Sequence, residues 1–326
     1  WRIVPPVLLL FGTCGNILNI TILSRQALRK YSMYFLFLAV SDMTNLTVRL
    51  ITDAATALQL FSIYHINDAS CKIQEWLLYT SGIISVWILV MITLERFLAI
   101  KYPHTAKQYM TPMFALSAYL ILLVAVSCFT GHLLLHNAVI DVMNVINNSI
   151  HNRTVTERYC TQMPESHRVF YNGDWSIMVL LFGSVVPGTI ILTGNVGIAV
   201  TVIKIGRRVK PDFQHRNIAQ DVHKTPTKLV FALTAMFLCT TFTIYIVNID
   251  YTRQVDNDTL AMHQLVTVYV YCSVWCNHSF NFILYFMHGT HFKKEWKVIT
   301  QSIMTIVTRA FNGTAKSTAS AIIRPT

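Results

Sequence analysis

Residues 71–103 read CKIQEWLLYTSGIISVWILVMITLERFLAIKYP, and this stretch determines the kind of fold that the chain can adopt. No charged residue occurs between positions 76 and 94. A helix of about 20 predominantly apolar residues is long enough to cross the hydrocarbon core of a bilayer. The stretch therefore predicts a membrane-spanning helix that ends at the charged pair Glu95-Arg96.

Six more apolar stretches of this length lie along the chain. The seven together cover roughly residues 3–23, 33–60, 76–94, 113–135, 175–203, 229–249 and 262–287. The chain has 326 residues, of which 53% are hydrophobic and 13% are charged, whereas soluble domains carry about 25% charged residues. Transmembrane strands would show alternating segments of about ten residues instead. The sequence predicts an all-α, seven-transmembrane helix bundle and excludes nearly every class of soluble enzyme.

The basic residues give the orientation of this bundle. Eighteen lysines and arginines lie on one side, in the loops between alternate spans and in the tail after the seventh span, against six on the other side. Cytoplasmic loops carry the excess of Lys and Arg. We therefore expect a multi-pass plasma membrane protein with its N-terminus outside and its C-terminus in the cytoplasm. The net charge of +11 then reflects the excess of basic residues on the cytoplasmic side of the membrane. It does not indicate a nucleic-acid partner.

The cysteines and the glycosylation sequons agree with this topology. Only Cys71 and Cys160 fall on the outer, oxidising side, and we expect a disulfide between them. The other five cysteines lie within spans, where small packing residues are common. The sequons in the predicted outer loops begin at Asn147, Asn152 and Asn257, and these three are the expected glycosylation sites.

Short motifs along nearly the whole chain resemble those of the rhodopsin-like (class A) G-protein-coupled receptors. They are Gly15-Asn16, the sequence LAVSD at 38–42, Glu95-Arg96-Phe97 followed by Pro103, Pro187, and Asn281 to Tyr285 followed by Phe292-Lys293-Lys294. The resemblance implies a receptor that activates a heterotrimeric G protein and is not an enzyme. It also implies a receptor domain over residues 1–300, which ends in a short amphipathic cytoplasmic helix, and a cytoplasmic tail over 301–326.

The sequence departs from the family pattern at several positions. Phe97 stands where the family has Tyr, and Phe282 replaces the proline of the seventh span. Thr241 and Thr243 align with the Trp and Pro of the sixth span. Helix kinks mostly arise at proline, so these departures leave the kinks of spans six and seven open. For coupling to the G protein, the resemblance implies Glu95, Arg96, Phe97, Pro187, Phe237, Asn281 and Tyr285.

Asp42 is a carboxylate in the middle of a span, where charge is costly and by default indicates function. The family alignment brings Ser85, Asn277 and Asn281 to the same depth. In the family this cluster binds an allosteric sodium ion at rest, and oxygen ligands suit such a hard cation. We therefore expect a sodium site and no other cofactor. The alternative is a neutral, hydrogen-bonded Asp42 that only ties helices together.

The residues at the outer ends of the spans indicate which class of ligand to expect. Amine receptors have an Asp where this chain has Leu78, and opsins have a Lys where it has Trp275. The candidate ligand-binding residues are acids, aromatics and these two positions, namely Asp53, Glu75, Leu78, Asp174, Tyr245, Asp250, Tyr271 and Trp275. Arg49 lies four residues before Asp53, so an ion pair within the helix is an alternative role for that acid.

These acids form an electronegative mouth that would attract a cationic ligand. The outer loop 137–172 is long, as in peptide receptors, and NHSFNFILY at 277–285 resembles invertebrate neuropeptide receptors. We expect a short basic neuropeptide as the extracellular ligand. A receptor for a small non-peptide ligand is the first alternative. A transporter or channel is the weaker one, since internal repeats and several charges at mid-membrane depth would be expected.

Overall fold

The computed structural model describes residues 3–25, 32–57, 66–147, 152–208, 229–240, 260–288, 292–302, 304–305 and 308. Within these ranges the chain is helical apart from one β-hairpin and the connecting turns. The helices are α1 (Val4–Ser24), α2 (Ser32–Ala57), α3 (Asp68–Lys101), α4 (Pro103–Tyr109), α5 (Pro112–Thr130), α6 (His132–His136), α7 (Glu165–Phe170), α8 (Ser176–Leu180), α9 (Val186–Arg208), α10 (Leu229–Thr240), α11 (Leu260–Ser279), α12 (Asn281–His288) and α13 (292–302).

Four of the described helical stretches are long and apolar enough to cross a membrane. They are Pro6–Ser24, Asp68–Lys101, Pro112–His136 and Glu165–Ile205. On the outward faces of these stretches large apolar side chains such as Ile121 and Leu135 are 71% and 72% exposed. Apolar side chains that face outward at this density suit contact with lipid rather than with water.

Helix α3 packs against α2, α5 and α9. Along this helix Ile84, Ile88 and Ile92 are buried in the main apolar core. The shared core extends to Leu38 on α2 and to Phe237 on α10. The stretch that predicted the fold therefore forms the axis of the described bundle.

The fifth membrane-spanning stretch begins earlier than predicted. The apolar pattern placed its start at residue 175, but the helix is continuous from Glu165 to Ile205. The preceding residues are polar and suggested a loop, yet they are compatible with a helix that extends beyond the membrane. Arg168 supports this extension by pairing with Glu165 at 2.6 Å, one turn away. Two π-helical turns, Tyr171–Trp175 and Leu181–Val185, interrupt the α-helical hydrogen bonding.

The predicted long outer loop 137–172 contains a β-hairpin. Strands β1 (Asn137–Asn147) and β2 (Asn152–Gln162) are antiparallel, with Asn137 opposite Gln162 and Asn147 opposite Asn152. Val, Ile and Thr residues are frequent in both strands, and such β-branched residues favour strands.

The seventh membrane-spanning stretch is divided into α11 and α12 at Phe280, without a proline. The side-chain amide of Asn16 on α1 donates to the carbonyl oxygen of His278 at 3.0 Å. In a continuous helix that oxygen would accept from the N–H of Phe282. A side chain that enters the helical hydrogen-bond pattern is a recognised cause of a kink, so Asn16 accounts for this break.

Helix α13 follows the seventh stretch, where a short amphipathic helix was predicted. Its first residue, Phe292, is buried against Phe282 and Tyr285, whereas Lys293 and Lys294 are exposed. The helix continues to position 302, two residues beyond the predicted domain boundary at 300. Its placement on the membrane surface stays a prediction.

Candidate functional site

The polar centre of the bundle is Asp42 on α2, whose exposed fraction is 0%. The hydroxyl of Ser85 on α3 donates to its Oδ1 at 2.7 Å. The amide of Asn281 on α12 donates to Oδ2 at 2.5 Å. Nδ1 of His278 on α11 lies 2.7 Å from Oδ1. Asp42 therefore connects the second, third and seventh membrane-spanning stretches through both of its oxygens.

The sequence placed Asp42, Ser85 and Asn281 together, and the structure brings these three into hydrogen-bonding contact. It did not identify His278. Asn277, the neighbour expected at this depth, is buried on the same helix, but the hydrogen bond to Asp42 comes from the next residue. A histidine within an apolar span is a signal that could have pointed to this contact.

These contacts decide how well the cluster fits the sodium ion that the resemblance implies. A hard cation is bound by oxygen atoms, whereas Asp42 is contacted by two nitrogen atoms, of Asn281 and His278, and by the hydroxyl of Ser85. The donor set does not fit an ion bound directly to this carboxylate. The sodium site remains only what the resemblance implies. Elsewhere in the part of the chain that the structure describes, no group of three or more His, Cys, Asp or Glu residues is placed to hold a metal ion.

The β-hairpin lies against the end of α3 that is predicted to face outward. Cys71 at the start of α3 forms the predicted disulfide with Cys160 on β2. The carboxylate of Asp68 accepts a hydrogen bond from the backbone N–H of Val139 at 2.8 Å. Arg158 donates to the carbonyl oxygen of Ile66 at 3.3 Å. One covalent bond and two hydrogen bonds thus hold the hairpin against the outer end of α3.

A polar cluster lies near this end of α3. The hydroxyls of Tyr79 and Tyr171 are 2.7 Å apart. Tyr171 and Arg49 are both near enough to the half-buried carboxylate of Glu75 to favour its charged form. The ring of Tyr79 also contacts the buried ring of Trp175. Glu75 therefore lies within electrostatic range of a cationic side chain of the protein itself.

The other predicted ligand-binding residues are placed as follows. Leu78 is half-buried, Asp174 is exposed, and Trp275 is buried against Leu46. Asp53 lies on α2 and Tyr271 on α11, but their side chains are outside the described part of the structure. Tyr245 and Asp250 lie outside the described residues altogether. These ligand-binding assignments stay predictions.

Three of the seven predicted coupling residues, Glu95, Arg96 and Phe97, lie near the opposite end of α3. Glu95 and Arg96 are buried there, with exposed fractions of 6% and 8%. The ring of Phe97 packs so closely on α9 that a Cβ added to Gly197 would lie 2.7 Å from it. The remaining three predicted coupling residues outside the Asp42 cluster are also buried, namely Pro187, Phe237 and Tyr285.

Two of the predicted glycosylation sites lie at the tip of the hairpin. Asn147 ends β1 and Asn152 begins β2, so both are near the four residues that join the strands. Asn257 lies outside the described residues. Glycosylation at all three stays a prediction.

Comparisons with known proteins agree with this architecture. The family model described as 7 transmembrane receptor (rhodopsin family) matches residues 15–285. The Caenorhabditis elegans protein F59B2.13, provisionally assigned as a G-protein coupled receptor, is 24% identical over 96% of this chain and 76% of its own. Galanin receptor 2b of Danio rerio is 23% identical over 92% of this chain and 74% of its own. The FMRFamide peptide receptor frpr-18 of C. elegans is 28% identical over 62% of this chain and 46% of its own.

Proposed function

The chain belongs to the rhodopsin family of seven-transmembrane receptors, and we propose that its ligand is a short basic peptide that binds from outside the cell beneath the hairpin β1–β2. As a member of this family the protein is a multi-pass, G-protein-coupled receptor with a seven-helix bundle, and it is a receptor rather than an enzyme. The proposal concerns the chemistry of the ligand and the residues that bind it.

The observation that carries the proposal is the hairpin fixed over the outer end of α3. The disulfide Cys71–Cys160 and the Asp68–Val139 hydrogen bond hold it there. An extended peptide can use backbone donors and acceptors beside a strand, which favours a peptide over a small ligand enclosed by helices. One relative is named as an FMRFamide peptide receptor, which supports a peptide ligand here.

The acids near the mouth support a basic side chain in that peptide. Asp174 is exposed at the outer part of the fifth membrane-spanning stretch, and Glu75 is half-buried near Arg49. A ligand arginine or lysine would be attracted by Asp174 from solution. It would then compete with Arg49 for the carboxylate of Glu75, while the rings of Tyr79 and Tyr171 offer aromatic contact.

The inner end of the same helix supports a route to the G protein. Glu95 and Arg96 end the buried part of α3, and Phe97 packs on α9. A rearrangement of packed helices can release such an arginine toward a partner. We infer that heterotrimeric G protein binds at this face when ligand binding at the outer end moves α3 and α9 relative to each other.

The test is a dose–response series in cells that express the receptor, with a library of short amidated peptides that contain or lack Arg and Lys. For a basic peptide that activates the wild type, Glu75→Gln and Asp174→Asn are compared. Truncating one partner of a desolvated charge pair costs about 2–5 kcal/mol, so at least one variant should lose potency by more than tenfold.

The matched control is Glu165→Gln, which removes an exposed acid that lies ten residues before the start of the predicted fifth span. In the wild type this acid is paired with Arg168 at 2.6 Å. Its potency should stay within about twofold of the wild type, because surface pairs contribute little. Activation only by uncharged or non-peptide ligands would contradict the basic peptide, and so would full potency in both acid variants.

A further inference from the structure

The carboxylate of Asp42 is bound by protein donors on both of its oxygens. Ser85 and His278 contact Oδ1, each at 2.7 Å, and Asn281 contacts Oδ2. We assign to His278 the tautomer with its hydrogen on Nδ1, which lets the imidazole donate to the carboxylate oxygen. Each of the three donors points the positive end of its bond at the carboxylate.

The pair of His278 and Asp42 is closed off from solvent. The side chain of His278 is 6% exposed and that of Asp42 is 0% exposed. A buried carboxylate requires compensation by a cation or by several hydrogen bonds. Here the imidazole supplies one of these bonds from the seventh membrane-spanning stretch, and Ser85 and Asn281 supply the others.

We propose that the imidazole of His278 takes the place of a metal cation beside Asp42, and that this receptor does not bind sodium at its central polar cluster. A hard cation requires oxygen lone pairs directed at it. Together Ser85 and His278 use both lone pairs of Oδ1, which leaves that oxygen none to direct at an ion. The backbone of the same residue is fixed by Asn16, whose amide donates to its carbonyl oxygen. The backbone that carries the imidazole is therefore held in position from helix α1.

The experiment measures the unfolding temperature of the purified full chain in lipid nanodiscs, without any peptide. Sodium chloride is compared with choline chloride at equal concentration, so that ionic strength is constant. A ligand that binds only the folded state raises the unfolding temperature as its concentration increases. The wild type should show the same unfolding temperature in both salts up to several hundred millimolar.

The variant His278→Ser removes the imidazole and leaves a small oxygen-bearing side chain. It should gain a sodium-specific rise in unfolding temperature, and the double variant with Asp42→Asn should lose that rise. His132→Ser is the matched control, because it removes a partly buried histidine on α6. It should remain insensitive to sodium. His278→Ala serves the same purpose should the serine variant not fold.

A sodium-specific rise in the wild type that disappears in Asp42→Asn would overturn the proposal. Insensitivity of both His278→Ser and His278→Ala would also overturn it, because the imidazole would then not be what excludes the ion. Since this measurement uses no peptide and no G protein, either outcome leaves the proposed ligand untouched.

Discussion

Removal of the disulfide between Cys71 and Cys160 tests how the mouth of the receptor is ordered. The two cysteines are 89 residues apart, and the loop-closure entropy for such a length is about 4.6 kcal/mol. Helices α3 and α5 stay anchored in the membrane, so the shorter segment from Asn137 to Cys160 is the more relevant loop. For about 24 residues the same relation gives about 3.4 kcal/mol.

The remaining contacts offset part of this loss. The hydrogen bonds of Asp68 with Val139 and of Arg158 with Ile66 are exposed to solvent, and each contributes about 0.5 kcal/mol, the lower end of the usual range. The net cost of ordering the hairpin is then about 2.4 kcal/mol, which corresponds to a decrease in ligand potency of about 50-fold. We expect this decrease in Cys71→Ala, in Cys160→Ala and, to the same extent, in the double variant.

The assay is agonist dose–response together with amide hydrogen exchange of the hairpin strands. Exchange should become faster in the variants, because local opening no longer has to break a covalent bond. Cys128→Ala, at an exposed free cysteine on α5, is the control and should leave both readouts unchanged. Wild-type potency with full protection of the hairpin in the double variant would refute the reasoning.

Two further predictions concern helix packing, and thermal unfolding of the purified receptor tests both. A Cβ at Gly12 would lie 2.5 Å from Oγ of buried Ser279. Such overpacking costs about 1–3 kcal/mol of stability, against a gain of about 1 kcal/mol from the higher helix propensity of alanine. Gly12→Ala should therefore lower the stability of the receptor. Gly173→Ala, with no atom within 4 Å, is its control and should not; equal stability of the two would contradict the prediction. The buried side-chain amide of Asn195 donates a hydrogen bond to the hydroxyl of Thr234 at 2.8 Å. A double-mutant cycle with Asn195→Ala and Thr234→Val should show a coupling energy of about 0.6 kcal/mol. Strictly additive effects of the two substitutions on stability would exclude the bond.

The sequence was informative wherever one strong physical requirement applied. Apolar length alone predicts the membrane-spanning part of α3, residues 76–94, although the helix extends beyond it at both ends, from Asp68 to Lys101. The sidedness of the basic residues leaves only Cys71 and Cys160 on the side predicted to be oxidising, and the structure joins these two. Asp42 stands out because a carboxylate at mid-membrane depth needs partners. Two of its three hydrogen-bonding partners, Ser85 and Asn281, were predicted from the resemblance.

The features that were missed depend on choices between neighbouring residues or between polar conformations. Asn277 and His278 are adjacent, and only the three-dimensional packing of α11 decides which of them contacts Asp42. The segment from Glu165 to Trp175 is polar, so hydropathy cannot distinguish a projecting helix from a loop. The break between α11 and α12 at Phe280 arises from Asn16, which lies more than 260 residues away in sequence.

The two π-helical turns of the fifth stretch have a consequence for how its length can change during evolution. A π turn contains one residue more than an α turn, and one residue of an α-helix corresponds to a rotation of roughly 100° about its axis. Loss of a residue within Leu181–Val185 can convert that turn to an α turn, which leaves the orientation of Gly194 and Asn195 on α9 unchanged. Loss of a residue further along α9 would rotate the following side chains away from α3 and α10. Proteins that evolve from this one can therefore lose a residue at a π turn of this helix without changing which side chains of α9 face α3 and α10.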